Sequence, residues 1–276
     1  MPNFFAVTQL GMSYLKILVF DEADYMLAES GFKDDSLGIM KAVVRSNGDC
    51  QVLLFSATFD DGVRAFVSKI VKDLFLKDYN QMFVSKEELL LESVKQYKVN
   101  CPNELSKIMV IKDKILELAQ KLGQTIIFVL TRNSAGILHK SLVDYGYEVT
   151  TIQGALKQED RDKILKEFKD GLTQVLISTD LLAWGFDQSQ VYLVVNYDLP
   201  VKFDCPSEPD YEVYLHQIGR AGRFGRKGAV FKLLCHDRDK SIMSKIEQHF
   251  NIQITEVGSW KSEDDFEDAL KKASLC

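Results

Sequence analysis

Short apolar runs that break off in a polar or acidic residue recur along the whole chain. "KILVFDEAD" and "QVLLFSATF" come first, followed by "TIIFVL", "EVTTIQ", "QVLISTD", "YLVVNYDL" and "AVFKLLC". Runs of this length, rich in β-branched residues and apolar on both faces, read as strands covered on both sides rather than as half-exposed ones. Helix-spaced segments separate them, so the last five describe a doubly wound parallel sheet. The first two are accompanied by helical patterns near 33–46 and 61–72 and by a further short strand at "MFVS". Open α/β sheets take their ligands beyond the carboxyl ends of the strands. Residues 21–24, 56–58 and 179–180 all stand at that position.

A chain of 276 residues supports one large domain or two modest ones. The Glu-, Leu- and Lys-rich run "KEELLLESVKQYKVNCPNE" marks the boundary, between Lys86 and Pro102. The expected division is a first domain over 1–86, a linker over 87–102, a second domain over 103–255 and an acidic tail over 256–276. In the tail, "SEDDFEDALKK" is acidic first and basic last, which suits a short solvated helix. A hydrophobic fraction of 46% supports a real core, while the net charge of -6 confines any nucleic-acid contact to a local patch. The five cysteines show no Cys-x-x-Cys spacing and the four histidines are scattered. They read as reduced structural thiols without a zinc cluster, in a cytoplasmic or nuclear protein. No apolar run approaches the length of a membrane span, and "MPNFFAVTQLGMSYLK" lacks the pattern of a signal peptide. Membrane insertion is not expected, and the chain is expected to be a monomer.

Two segments carry chemistry. In "YLHQIGRAGRFGRKG" a glycine recurs every third residue, with Arg220, Arg223 and Arg226 behind three of them. Each glycine disfavours helix by about 1 kcal/mol relative to alanine, a tolerable loss where something must approach the backbone closely. Guanidinium groups beside bare backbone suit phosphate; a solvated basic turn is the alternative. In "VFDEAD", Asp21 and Glu22 leave a buried strand as adjacent carboxylates. That arrangement suits a hydrated magnesium ion, or equally the N-terminal run of a helix.

Taken in order, "DEAD", "SAT" and "HQIGRAGR" resemble motifs II, III and VI of the DEAD-box RNA helicases, over about Leu10 to Phe250. The likeness is greatest to the branch that serves messenger-RNA export at the nuclear pore, especially its plant members. The resemblance implies an α/β fold of RecA-like parallel sheets, with one partial N-terminal and one complete C-terminal helicase domain. It further implies ATP and Mg2+ as cofactors and RNA as partner, with export or nuclear-pore factors beside it. Asp21 would hold the metal through water, and Glu22 would position and deprotonate the attacking water. Ser56, Thr58, Asp24 and His216 would couple the domains. Asp187 would touch the ribose, and Arg220 and Arg223 would reach the γ-phosphate. Gln158, Arg161 and Thr179 would hold the RNA backbone without reading sequence, and Arg226 would be ordinary surface.

The chain also departs from the family pattern. Members begin with a Q motif and a P-loop, Gly-x-x-x-x-Gly-Lys-[Ser/Thr], whose amides and lysine hold phosphates. No Gly-Lys dipeptide occurs here, so the first domain is expected to be N-terminally truncated. Gln217 stands where the family has arginine, Trp184 replaces the arginine of "ARG", and Gln153 replaces a histidine. Each removes a cation or potential cation. Two readings stay open: an ATP-dependent RNA helicase in an incomplete chain, or a non-catalytic RNA- or partner-binding remnant of one.

Overall fold

The computed structural model describes residues 12–27, 33–47, 49–56, 63–65, 67–68, 80–85, 93–119, 122–179 and 188–275. The chain forms two compact units, Met1–Phe83 and Val84–Cys276.

In the first unit, strand β1 (Ile17–Phe20) runs into helix α1 (Ala23–Leu27), then helix α2 (Lys33–Ser46) leads to strand β2 (Gln51–Leu54). The strands pair in parallel, Ile17 beside Gln51 through Phe20 beside Leu54. Helix α2 opens with Asp34 and Asp35 and closes with Arg45, a charge order that matches its dipole. It turns Met40 and Val43 inward, and Met40 joins Phe20, Ala23 and Val63 in a small core. On β1, Ile17 and Val19 are each about half exposed, at 53% and 51%. The expected strand at "MFVS" does not form. Residues 80–85 take no regular structure, and Met82, Phe83 and Val84 are exposed. Apolar composition alone does not make a strand where no ladder partner is paired to it.

The second unit begins with strand β3 (Val94–Asn100) and helix α3 (Glu104–Val110), which continues through a π-helical stretch (Ile111–Leu116) and a final turn (Glu117–Ala119). Strand β4 (Gln124–Phe128), helix α4 (Arg132–Asp144), strand β5 (Val149–Ile152), helix α5 (Gln158–Lys169) and strand β6 (Val175–Ser178) follow. After them come strand β7 (Val191–Asn196), helix α6 (Tyr211–Ile218), strand β8 (Gly228–Leu234), helix α7 (Asp237–Phe250), strand β9 (Thr255–Glu256) and helix α8 (Glu263–Lys272). The seven strands lie in the order β5-β6-β4-β7-β8-β3-β9, every neighbouring pair parallel. All residues of β4, β6 and β8 are buried, as strands covered on both faces require. On one face Ile127, Val195 and Phe231 meet Ile115, Leu138 and Phe266. On the other Ile126, Val194 and Val230 meet Phe168, Tyr214 and Phe250.

Two expected boundaries are corrected. The stretch expected as a linker over 87–102 contains β3, a sheet strand between β8 and β9 that buries Val94, Tyr97 and Val99. Residues 256–276 are not a solvated tail. Helix α8 is capped by Ser262, whose Oγ accepts the Asp265 amide at 3.2 Å, and it buries Phe266, Ala269 and Leu270. Those positions fall on one helical stripe, with the acidic residues on the other side. Tyr97 Oη donates to the Ala269 carbonyl at 2.7 Å and fixes the helix to β3. The second unit therefore runs well past both ends of 103–255. Among the described residues, no helix is long and apolar enough to cross a membrane.

Candidate functional site

The carboxyl end of β1 turns sharply. Asp21 is exposed, and its Oδ1 accepts the Glu22 amide at 3.0 Å. Glu22 takes a left-handed backbone, φ 51°, a conformation disfavoured for a residue with a Cβ by roughly 1–2 kcal/mol. Local strain of this kind collects at functional loops. The surroundings hold it in place: the Glu22 carbonyl accepts the Met26 amide at 3.1 Å as α1 begins. Fully buried Ala23 donates its amide to the Phe55 carbonyl at 3.0 Å, and the Asp24 amide donates to Ser56 Oγ at 3.2 Å. Phe55 in turn donates to the Phe20 carbonyl at 2.8 Å. The "DEAD" and "SAT" segments are thus stitched together across neighbouring strand ends. Thr58 lies outside the described residues.

In the second unit, α6 is capped by Asp210, whose Oδ1 accepts the Val213 amide at 3.0 Å. Arg220, 3% exposed, donates Nε–H to the His216 carbonyl at 3.0 Å, and Arg223 donates Nε–H to the Gly219 carbonyl at 2.8 Å. Both arginines are braced on the carbonyl four residues back, which orients their guanidinium planes. His216 sits partly buried on the same helix. Arg226, expected as ordinary surface, is exposed, and from there it ties its loop to the start of β7. Its Nη1 donates to the Ser189 carbonyl at 2.9 Å and to Tyr192 Oη at 3.0 Å. The glycine spacing also finds a local cause. Gly222 has φ 66°, and a Cβ there would lie 2.7 Å from Val94 Cγ2. What approaches the bare backbone at Gly222 is β3.

Among the apolar residues beneath α6 the sheet also carries polar ones. Gln217 is 1% exposed, and its Oε1 accepts Asn196 Nδ2–H at 2.6 Å, so this departure from the family lies in the interior. Lys232 is fully buried and donates to Gln96 Oε1 at 2.8 Å; Tyr214 Oη donates to the same atom at 2.6 Å. Burial pulls the Lys232 ammonium down to about 7, opposed in part by Glu247, and pushes the Tyr214 phenol up. Sequence reading missed this cluster. Its one signal was a lone lysine inside the apolar run "GAVFKLL".

Strands β5 and β6 are neighbours, so their carboxyl ends bring two more expected residues into one region. The Thr179 amide donates to the Ile152 carbonyl at 3.4 Å. Two residues beyond Ile152, the Gly154 carbonyl accepts Arg161 Nη2–H at 2.7 Å. Arg161 Nε is buried without a hydrogen-bond acceptor, an unusual state for a guanidinium donor. Gln158 is exposed and donates to Asp162 Oδ1 at 2.8 Å. Asp187 and Trp184 lie outside the described residues.

A parallel sheet with helices on both faces, carrying these loops at its strand ends and α6 across one face, defines a RecA-like helicase domain. Comparison with known proteins agrees. The DEAD/DEAH box helicase family matches residues 3–66, and the Helicase conserved C-terminal domain family matches residues 106–225. DEAD-box ATP-dependent RNA helicase 38 of Oryza sativa subsp. japonica is 60% identical over 261 residues, covering 95% of this chain and 51% of the relative. The structure of S. cerevisiae Dbp5 bound to RNA and ADP BeF3 superposes with a TM-score of 0.78 at 36% identity, over 94% of this chain and 63% of that one. The C-terminal domain of Dbp5 alone gives 0.58 at 36% identity, covering 66% of this chain and 98% of the domain. The chain belongs to the DEAD-box RNA helicase family. It spans about half the length of the curated relatives it matches.

Proposed function

We propose that the chain works in ATP-dependent unwinding of RNA or remodelling of ribonucleoprotein, in messenger-RNA export. The observation that carries this reading is the bonding of the Ala23 and Asp24 amides to Phe55 and Ser56, which ties the acidic strand end to the "SAT" segment. A change at either strand end then reaches the other. Asp21 is exposed and oriented by the Glu22 amide, which fits a metal bound through water. A hydrated Mg2+ there would neutralise phosphate charge. Glu22 holds and deprotonates the attacking water, and Asp187 contacts the ribose. Arg220 and Arg223, already braced on the His216 and Gly219 carbonyls, stabilise charge on the transferred phosphoryl group. Ser56, Thr58, Asp24 and His216 couple nucleotide to RNA. Arg161, with its unmatched Nε–H, joins Gln158 and Thr179 on the RNA backbone.

S. cerevisiae Dbp5 has been solved with Gle1 and IP6, and with Nup159. By likeness, export factors of that kind are the partners we assign to this chain, and the nuclear pore, between nucleus and cytoplasm, is its place of work. A second reading, RNA or partner binding without catalysis, is favoured by the lack of any Gly-Lys in the chain. These 276 residues by themselves supply no Gly-Lys loop to cradle the phosphates.

One experiment separates the two. Phosphate release is measured with RNA for the 276-residue chain and for a chimera preceded by a relative's P-loop segment, each beside its Glu22→Gln variant. The chain alone is expected to stay at its Glu22→Gln background, and the chimera to hydrolyse ATP in a Glu22- and Arg220-dependent way. A chimera as active with Glu22→Gln as without it overturns the catalytic reading.

A further inference from the structure

The topology of the second unit opens a crevice that the proposed nucleotide and RNA residues do not use. Strands β4 and β7 lie side by side, yet the chain leaves β4 towards β5 and leaves β7 towards β8. Such a switch point, at the carboxyl ends of parallel strands, is where open α/β sheets take ligands. The Leu130 amide donates to Asp198 Oδ2 at 2.9 Å across the mouth of this one. Behind it is a cavity of about 260 Å³, lined among others by Glu104, Lys107, Asp198, His236 and Asp239.

At the edge of that cavity, where Glu104 and His236 line it, three metal-ligand types converge. Glu104 is the first residue of α3, and Cys235 and His236 directly follow β8. Their ligand atoms all lie within 4.8 Å of one another. His236 Nε2 lies 3.4 Å from Glu104 Oε1. The backbone behind them is fixed: Asp239 Oδ2 accepts the amides of Cys235 at 2.9 Å and His236 at 3.2 Å. Buried Lys107 is the one ammonium set against Glu104, Asp239 and Asp198, at 3.2, 3.7 and 3.8 Å.

We propose that Glu104, Cys235 and His236 bind a divalent transition metal, with Zn2+ the ion whose preferences match a mixed sulfur, nitrogen and oxygen set. Three protein ligands leave a fourth position, open to water or a small anion. Binding releases the Cys235 thiol proton to solvent. Sequence spacing gives no hint of the site, because Glu104 and Cys235 meet only through the pairing of β3 with β8. The site is independent of the helicase reading and can be tested apart from it.

The test is a Co2+ titration of the 276-residue chain, followed by absorption and then by competition with Zn2+. A stoichiometric thiolate-to-cobalt charge-transfer band that Zn2+ abolishes is expected. Cys235→Ser should remove the band, while Cys205→Ser should leave it unchanged. Glu104→Gln and His236→Gln should each weaken binding by about tenfold or more. Circular dichroism and melting of each variant establish that it is folded. No band in the folded wild-type chain, or a band that survives Cys235→Ser, overturns the proposal.

Discussion

Strands β1 and β4 are built from similar residues and meet different fates. "ILVF" in β1 leaves Ile17 and Val19 about half exposed, whereas "QTIIF" in β4 is buried at every position. The difference lies in the neighbours. Among the described residues β1 pairs with β2 alone, while β4 lies between β6 and β7. Fully burying one such aliphatic side chain contributes roughly 1.5–3 kcal/mol, so a half-exposed strand collects only part of that. An apolar run states what a strand could bury. The sheet around it decides what is buried.

The largest expected effect sets the two units directly against each other. Limited proteolysis should cut first within the first unit and leave a resistant fragment that begins between Val84 and Val94, ahead of β3, and retains α8. Equal resistance of both units would break the comparison. Next in size is Phe266→Ala, a truncation in a fully buried setting that should lower the stability of the second unit by about 3–5 kcal/mol. Urea unfolding measures it; a change below about 0.5 kcal/mol, as for an exposed site, would return residues 256–276 to the status of a tail.

Lys232→Met is the smaller and more informative change. The buried ammonium titrates at about 7, against an ordinary lysine value of 10.5. Below about 7 both folded and unfolded chains carry the proton, and the folded state bears the full penalty of burial. Between 7 and 10.5 the unfolded chain holds a proton that the folded one lacks, so wild-type stability rises with pH across that window. The methionine variant should be more stable at pH 6 by on the order of 2–4 kcal/mol, with the gain fading towards pH 10. Thermal melts at several pH values follow it. A pH-independent difference would mean that Lys232 keeps the same protonation in the folded as in the unfolded chain.

What the sequence made legible follows the same logic. Strands β4, β6, β7 and β8 were readable because burial on both faces writes a continuous apolar run. Strand β3 was not, since "VKQYKVN" alternates lysine with apolar residues and looks like surface. Its polar side chains are satisfied by partners far along the chain: Lys98 pairs with Glu247 at 3.0 Å, and Gln96 accepts from Tyr214 and Lys232. Helix α8 was hidden in a similar way, because its acidic residues outnumber the stripe formed by Phe266, Ala269 and Leu270. Asp21, Glu22, Arg220 and Arg223 could be read from motif order. The burial of Gln217 against Asn196 could not, because that pairing depends on α6 lying across β7. At Gly222 the sequence announced a close approach without saying that Val94 makes it.

The place of β3 in the sheet has a consequence for how the chain is made. It is the first strand of its unit to be synthesised, yet its ladder partners, β8 from Gly228 and β9 from Thr255, are the last. At ~5–20 residues per second, translation leaves a gap on the order of 10 s between the emergence of β3 and that of its partners. Strands β4 to β7 can assemble in that interval, because they pair among themselves. Meanwhile Val94, Tyr97 and Val99 stay open to chaperones or to a strand of another nascent chain. Closing so long a loop is also the slow step expected of non-local pairing. The emergence of β8 and β9, more than any local signal, sets the moment at which this domain becomes whole.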